Sequence, residues 1–92
     1  MIEFEWDPAK AASNLVKHKV SFEVATSVFR DPARVTVFDR VKDGERRWHA
    51  IGAVDRDLLL TVVFTVRVYG RKNRIRIISA RKASRRERKL YV

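Results

Sequence analysis

Arginines dominate the side chains of this chain that are able to do chemistry. Arg47, Arg67 and Arg81 fall on successive β-like stretches, and Glu87, Tyr91 and His18 complete a set of charged and proton-exchanging groups. The set suits one reaction class. RNA can be cut through its own 2′-hydroxyl, so a protein need not supply a nucleophile or a metal. It must orient the strand, help remove the hydroxyl proton, stabilise the extra charge on phosphorus and protonate the leaving oxygen. Arginines suit the third task. They are poor bases, because the guanidinium pKa lies above about 12. A base would be Glu87, His18, a lysine or water held by the substrate.

Each of these residues also has a plainer role. Arg81 ends a strand and serves equally as a surface cation. Arg47 and Arg67 fit a solvated sheet face somewhat better than a site. Glu87 fits position N3 of a capping box before it fits a base. Tyr91 fits a packing aromatic, with base stacking or proton donation as the alternative. His18 suits the negative end of a helix. Trp6 and Trp48 fit core or interface positions better than base-stacking platforms.

Other chemistries find no support. The two histidines, His18 and His49, have no partner at metal-ligand spacing, and the absence of cysteine removes disulfides and thiolate sites. The three glycines are scattered and form no phosphate-binding loop. No cofactor is expected.

The elements that must hold these residues are legible from patterning. Ile2 to Trp6 alternates apolar and acidic residues, as a short strand does. Asp7-Pro8 opens a helix to about His18, with Asp as N-cap, Pro at N1 and a thin apolar face of Ala11, Ala12 and Leu15. Ser21 caps a second helix carrying Phe22, Ala25, Val28 and Phe29, with Val20 placed to staple onto Ala25; Asp31-Pro32 ends it. Strands follow at Val35 to Asp39, Arg46 to Val54, Leu58 to Val68 and Asn73 to Ala80, separated by turns at Lys42-Asp43-Gly44, Asp55-Arg56-Asp57 and Tyr69-Gly70-Arg71-Lys72. The run from Arg46 to Ala80 reads as an antiparallel meander with Leu58 to Val68 at its centre. Ser84-Arg85-Arg86-Glu87 matches a capping box and starts a short closing helix. The expected architecture is a small α+β domain over residues 1–92, an antiparallel sheet with its helices against one face.

Composition narrows the partners. At 92 residues the chain is expected to form one domain. The N-terminus has acidic residues and no apolar h-region, unlike a signal peptide, and the lack of cysteine fits a reducing cytosol, so the expected location is cytoplasmic. No segment is long and apolar enough to suggest a membrane span. The net charge is +10, all of it in the second half: residues 1–46 carry 8 basic and 8 acidic side chains, residues 47–92 carry 13 and 3. From Arg67 onward 8 of the 11 basic residues are arginine. Arginine's planar fork suits phosphate, so a nucleic acid is the expected polyanion, with Arg74, Arg76, Arg85 and Arg88 as RNA contacts. A non-catalytic RNA- or DNA-binding module accounts for the same charge block.

A resemblance sharpens this. Phe4-Glu5-Trp6-Asp7-Pro8-Ala9-Lys10, Asn14-Leu15, Lys17-His18 and Val20-Ser21-Phe22 resemble the BrnT toxin family. So do Val28-Phe29-Arg30-Asp31-Pro32, the Arg47-Trp48-x-x-Ile51-Gly52 stretch with Glu45 ahead of it, Thr65-x-Arg67, and Ile77-Ile78-Ser79-Ala80-Arg81-x-Ala83-x-x-x-Glu87-Arg88-x-x-Tyr91. The resemblance spans nearly the whole chain in order. It implies a fold like that of RelE-type toxins, a ribonuclease activity that blocks translation, and a type II toxin–antitoxin system. The implied partner is a BrnA-like antitoxin with a ribbon-helix-helix domain, so that DNA is reached only through the antitoxin. Functional positions are implied at Arg47, Arg67, Arg81, Glu87 and Tyr91, with Lys10 and His18 as further RNA contacts. A toxin of the same fold with another target, such as gyrase, is a further alternative. Two departures stand out. Lys19 replaces the family's usual glycine after Lys-His, which predicts a different helix end. The loop Val68 to Asn73 reads as longer and more basic than usual.

Overall fold

The computed structural model describes residues 2–91. Strand β1 (Glu3–Glu5) leads into helix α1 (Pro8–His18) and short helix α2 (Phe22–Ala25), which runs on as a 3-10 turn over Thr26–Arg30. Strands β2 (Val35–Lys42), β3 (Glu45–Asp55), β4 (Leu58–Tyr69) and β5 (Lys72–Lys82) form an antiparallel meander, and helix α3 (Arg85–Leu90) closes the chain. The sheet order is β1-β5-β4-β3-β2, with β1 parallel to β5 and β4 central.

Local chemistry accounts for the boundaries. Asp7 accepts from the Ala9 N–H and Pro8 takes the first helical position of α1. Ser21 accepts from Val24 N–H to start α2. Asp43 and Gly44 both have positive φ, 53° and 78°, the backbone that a tight β2–β3 hairpin turn needs. The β3–β4 turn is held by Asp55, whose Oδ1 accepts from the N–H groups of Asp57 and Leu58.

Three expectations about local structure are corrected, as is a fourth about the placement of the helices. The helix end at Lys19 needs no other geometry: Lys19 itself adopts the left-handed conformation, φ 61°, and its N–H reaches Leu15 O. The Val68 to Asn73 loop is not long, because pairing continues to Tyr69 and Lys72 and leaves only a tight turn at Gly70-Arg71, with Gly70 at φ 62°. The α1 face is also different, since Leu15 is half exposed and Ala12 lies in solvent. The inward positions are Ala11, Asn14 and His18, and Asn14 is the only buried residue of the helix.

Asn14 is buried because it does the work of a strand. Its Nδ2 donates to Val20 O and Ala80 O at 2.9 and 2.8 Å, and its Oδ1 accepts from Ala80 N–H at 3.1 Å. Strand β1 covers the β5 edge only at Arg74 to Arg76, and the Asn14 amide satisfies that edge further along. A buried backbone amide left unpaired costs about 1–3 kcal/mol, so this contact fixes α1 against the sheet.

The core lies between the sheet and α1, α2 and the 3-10 turn. Phe22, Ala25, Val28 and Phe29 meet Ala50, Leu60, Val62, Phe64, Ile77 and Ala80. Phe29 packs edge-on to Phe64 at 5.1 Å and Trp6 edge-on to Phe22 at 5.8 Å, which places Trp6 on the core side as the sequence suggests. Gly52 admits the 3-10 turn closely: a Cβ there would lie 2.9 Å from Val28 Cγ1 and 3.2 Å from Val28 O. The expectation that all helices share one face does not hold. Arg81, Thr61 and His49 alternate with the core residues Ala80, Leu60, Val62 and Ala50, so they point away from α1 and α2. Helix α3 folds over the end of the sheet to meet them.

Asn14→Ala is expected to lower stability by about 2–4 kcal/mol, because it strips two buried hydrogen bonds from the β5 edge and a third from Val20 O. In a domain of this size that is a fall in Tm of roughly 10 °C or more, measurable by a thermal melt. A melt unchanged from wild type refutes the role given to Asn14.

Candidate active site

The sheet face turned away from α1 and α2 carries the charged residues. Residues Thr61, Thr65 and Arg67 of β4 and Arg74, Arg76 and Arg81 of β5 lie on it in cross-strand register, Thr61 opposite Arg81, Thr65 opposite Arg76 and Arg67 opposite Arg74. A bulge between Val63 and Phe64 shifts the register, so that Ile77 turns to the core while Arg76 and Arg81 both stay on this face. On β3, Arg47 and His49 flank Trp48, which packs on the core side against Phe38.

The capping box of α3 doubles as an ion-pair site. Ser84 Oγ accepts from the Glu87 N–H, and Glu87 Oε1 accepts from the Ser84 N–H at 2.8 Å. Arg81 donates to both carboxylate oxygens, Nη1 to Oε1 at 2.6 Å and Nη2 to Oε2 at 2.9 Å. Thr61 Oγ1 donates to Oε1 at 3.0 Å. Glu87 is therefore both cap and ion-pair partner, two roles the sequence offers as alternatives. The hydrogen bonds from Arg81, outweighing burial, hold its carboxyl at about 2 and keep Arg81 firmly charged. A carboxylate so acidic is a very weak base at neutral pH.

His49 stands beside this pair. Its Nδ1 is 3.8 Å from Glu87 Oε2 and its Nε2 is 3.5 Å from Asp39 Oδ2, with the ring 21% exposed. Asp39 turns toward it at the β2 bulge between Phe38 and Arg40. Neither His49 nor Asp39 is picked out by sequence reasoning. Asp39 lies 10 residues before His49, and only the antiparallel pairing of β2 with β3 brings them together.

Toward the other end of the face the arginines are also matched. Arg67 forks onto Glu45 through Nε and Nη2, at 3.1 and 3.2 Å. Arg76 meets Glu5 at 2.7 Å, Tyr69 donates to the same carboxylate, and Arg74 lies 3.9–4.0 Å from Glu3 and Glu5 and over the Tyr69 ring. Burial alone would raise the Glu5 carboxyl, but the bonds from Arg76 and Tyr69 outweigh it and leave it below the ordinary value. Arg47 differs from these: it forms no ion pair with the described carboxylates, and its Nε is buried without a partner. Thr65 Oγ1 is likewise buried and unpartnered.

The structure thus brings Arg81 and Glu87 together and sets Arg47, Arg67, Arg74 and Arg76 on the same sheet face. Tyr91 goes elsewhere. Its hydroxyl donates to Asp31 Oδ2 at 2.6 Å, where Asp31 also accepts from Ala53 N–H. That bond raises the Tyr91 pKa and lowers that of Asp31, so the phenol is anchored as a structural donor. Lys10 and His18 line a shallow pocket with Ser13, Asn14, Lys17, Ile78 and Ser79, beside the β5 edge. Arg85 and Arg88 are exposed on α3.

Comparison with known proteins agrees with this architecture. A family model described as "Ribonuclease toxin, BrnT, of type II toxin-antitoxin system" matches residues 6–87. The 1.1 Å crystal structure of the Brucella abortus ribonuclease toxin BrnT is similar in fold, with a TM-score of 0.64 at 23% identity over 92% of this chain and 100% of that one. No curated protein matches the chain.

The depressed Glu87 carboxyl sets a pH dependence. Its folded pKa lies below the unfolded value of 4.5, so the stability it contributes is present above pH 4.5 and is lost as pH falls toward 2. For so shielded a group, about 1–3 kcal/mol is at stake. Chemical denaturation at neutral pH and near pH 3 is expected to show Glu87→Gln losing its deficit relative to wild type as the pH drops. An equal deficit at both pH values counts against the ion pair as its source.

Proposed function

The chain belongs to the BrnT family of ribonuclease toxins of type II toxin–antitoxin systems, and on that premise we propose that it is a metal-independent endoribonuclease that arrests translation by cutting RNA. The observation that carries the reading is the pairing pattern of one sheet face. Arg67, Arg74, Arg76 and Arg81 are each held by a carboxylate, and Arg47 lies among them unclaimed. Arginines held this way keep donors free and lose little freedom when a phosphate arrives. Arg81 spends two of its five donors on Glu87 and can present others to phosphate.

In this reading the RNA backbone lies along the face. Arg47, Arg67 and Arg81 stabilise charge as the 2′-oxygen attacks phosphorus. Glu87 aims Arg81 and takes no proton itself. Arg74, Arg76, Arg85 and Arg88 hold neighbouring phosphates, and Lys10 and His18 extend the track past the β5 edge. Tyr91, carried by the resemblance as a site residue, contributes by fixing the end of α3 at Asp31. We place the toxin in the cytoplasm, as one domain, with a BrnA-like ribbon-helix-helix antitoxin covering the basic face when the pair is intact.

Expression from a tight promoter, beside Arg81→Ala, tests this. Growth arrest with RNA decay is expected for wild type and loss of both for the folded variant. Purified protein is expected to cut RNA in excess EDTA. Arrest with intact RNA but inhibited supercoiling points to a gyrase-directed toxin, and tight RNA binding without cleavage points to a binding module; either result overturns the ribonuclease reading.

A further inference from the structure

The reading above leaves the proton transfer unassigned, and the obvious carboxylate is unfit for it. Glu87 is bound by Arg81, Thr61 and Ser84 at once and is too acidic to take up a proton near neutrality. Imidazole is the side chain suited to exchanging protons there.

We propose that His49 is the general base of RNA cleavage and that Asp39 positions it. The inference rests on the ribonuclease reading. Four observations carry it. His49 is on the same face as the arginines, two residues along β3 from Arg47, a distance of about 7 Å. Its ring is about one-fifth exposed, shielded yet reachable. Carboxylates stand on both sides of it, Asp39 at 3.5 Å from Nε2 and Glu87 at 3.8 Å from Nδ1. Neither contact is a hydrogen bond, so Nδ1 is open to a substrate hydroxyl when the ring proton sits on Nε2, on the Asp39 side.

The charged groups facing His49 are few. From β2 come Asp39 and, paired to it at 2.9 Å, Arg40; from α3 comes Glu87; from β5 comes Arg81, through Glu87. The β4 neighbour in register is Val63. The two carboxylates flank the ring, and Asp39, itself fixed by Arg40, orients it from the β2 side.

The step balances. Neutral His49 takes the 2′-OH proton on Nδ1. The 2′-oxygen's electron pair forms the new bond to phosphorus as the bond to O5′ breaks. O5′ takes a proton from water, and the resulting hydroxide removes the proton from the imidazolium. The products are a 2′,3′-cyclic phosphate and a 5′-hydroxyl, and His49 is neutral again.

The test uses a DNA oligonucleotide containing a single ribonucleotide, with kcat and KM measured from about pH 5 to 9 for wild type, His49→Gln and Asp39→Asn. The wild type is expected to cut only at the ribose and to lose rate on the acid side. His49→Gln is expected to lose kcat about 10²–10⁴-fold, with KM little changed and the acid limb gone. Asp39→Asn is expected to keep the limb at a lower kcat. A folded His49→Gln that retains the wild-type rate and profile overturns the inference while leaving the ribonuclease reading intact. If His49→Gln does not fold, an Asp39→Asn kcat identical to wild type overturns it in the same way. Wild-type protein that cuts no RNA overturns both.

Discussion

The bidentate pair between Arg81 and Glu87 is the joint on which the C-terminal third of the site depends. Helix α3 has six residues and none of them is buried. A helix so short does not persist in water through its own hydrogen bonds. Glu87 supplies what is missing: it completes the cap, accepts from Thr61 on the central strand and binds the arginine at the end of β5. Tyr91 adds a second anchor at Asp31. One carboxylate thus turns a flexible tail into a wall of the site, and does so next to His49.

The same device recurs along the face. Glu5 and Glu45, from the N-terminal half, which carries no net charge, lie under arginines of the strongly basic second half. This arrangement answers a physical difficulty. A dense array of guanidinium groups repels itself and, if mobile, has to be ordered whenever a ligand binds. Carboxylates between the arginines lower the repulsion and fix the side chains, while leaving the face positive overall. Arg47 has no such partner among the described residues and stands where the array meets His49.

Much of this was legible in the residues. Asp7-Pro8, Ser21, Asp43-Gly44 and the Ser84–Glu87 box act locally, through hydrogen bonds and φ preferences a few residues long, and the structure uses each as the sequence suggests. The Leu58 run occupies the sheet centre because its apolar content suits burial on both faces. What misled was equally specific. Leu15 looks like a core residue and is exposed, whereas Asn14 looks like a surface residue and is buried, because the deciding factor is an unpaired edge of β5 far away in the chain.

The sequence by itself determined the α+β order, the caps and turns, the charged second half and the candidate arginines, since each depends on residue type and short-range spacing. Only the tertiary structure decided which face those arginines occupy, that Glu87 serves Arg81 as well as its own helix, that Tyr91 is spent on Asp31, and that His49 lies between Asp39 and Glu87. The physical reason is strand register. A strand's side chains alternate between faces, so a one-residue bulge at Asp39 or Ile78 reassigns every neighbour, and the pairing that sets the register joins residues far apart in the chain.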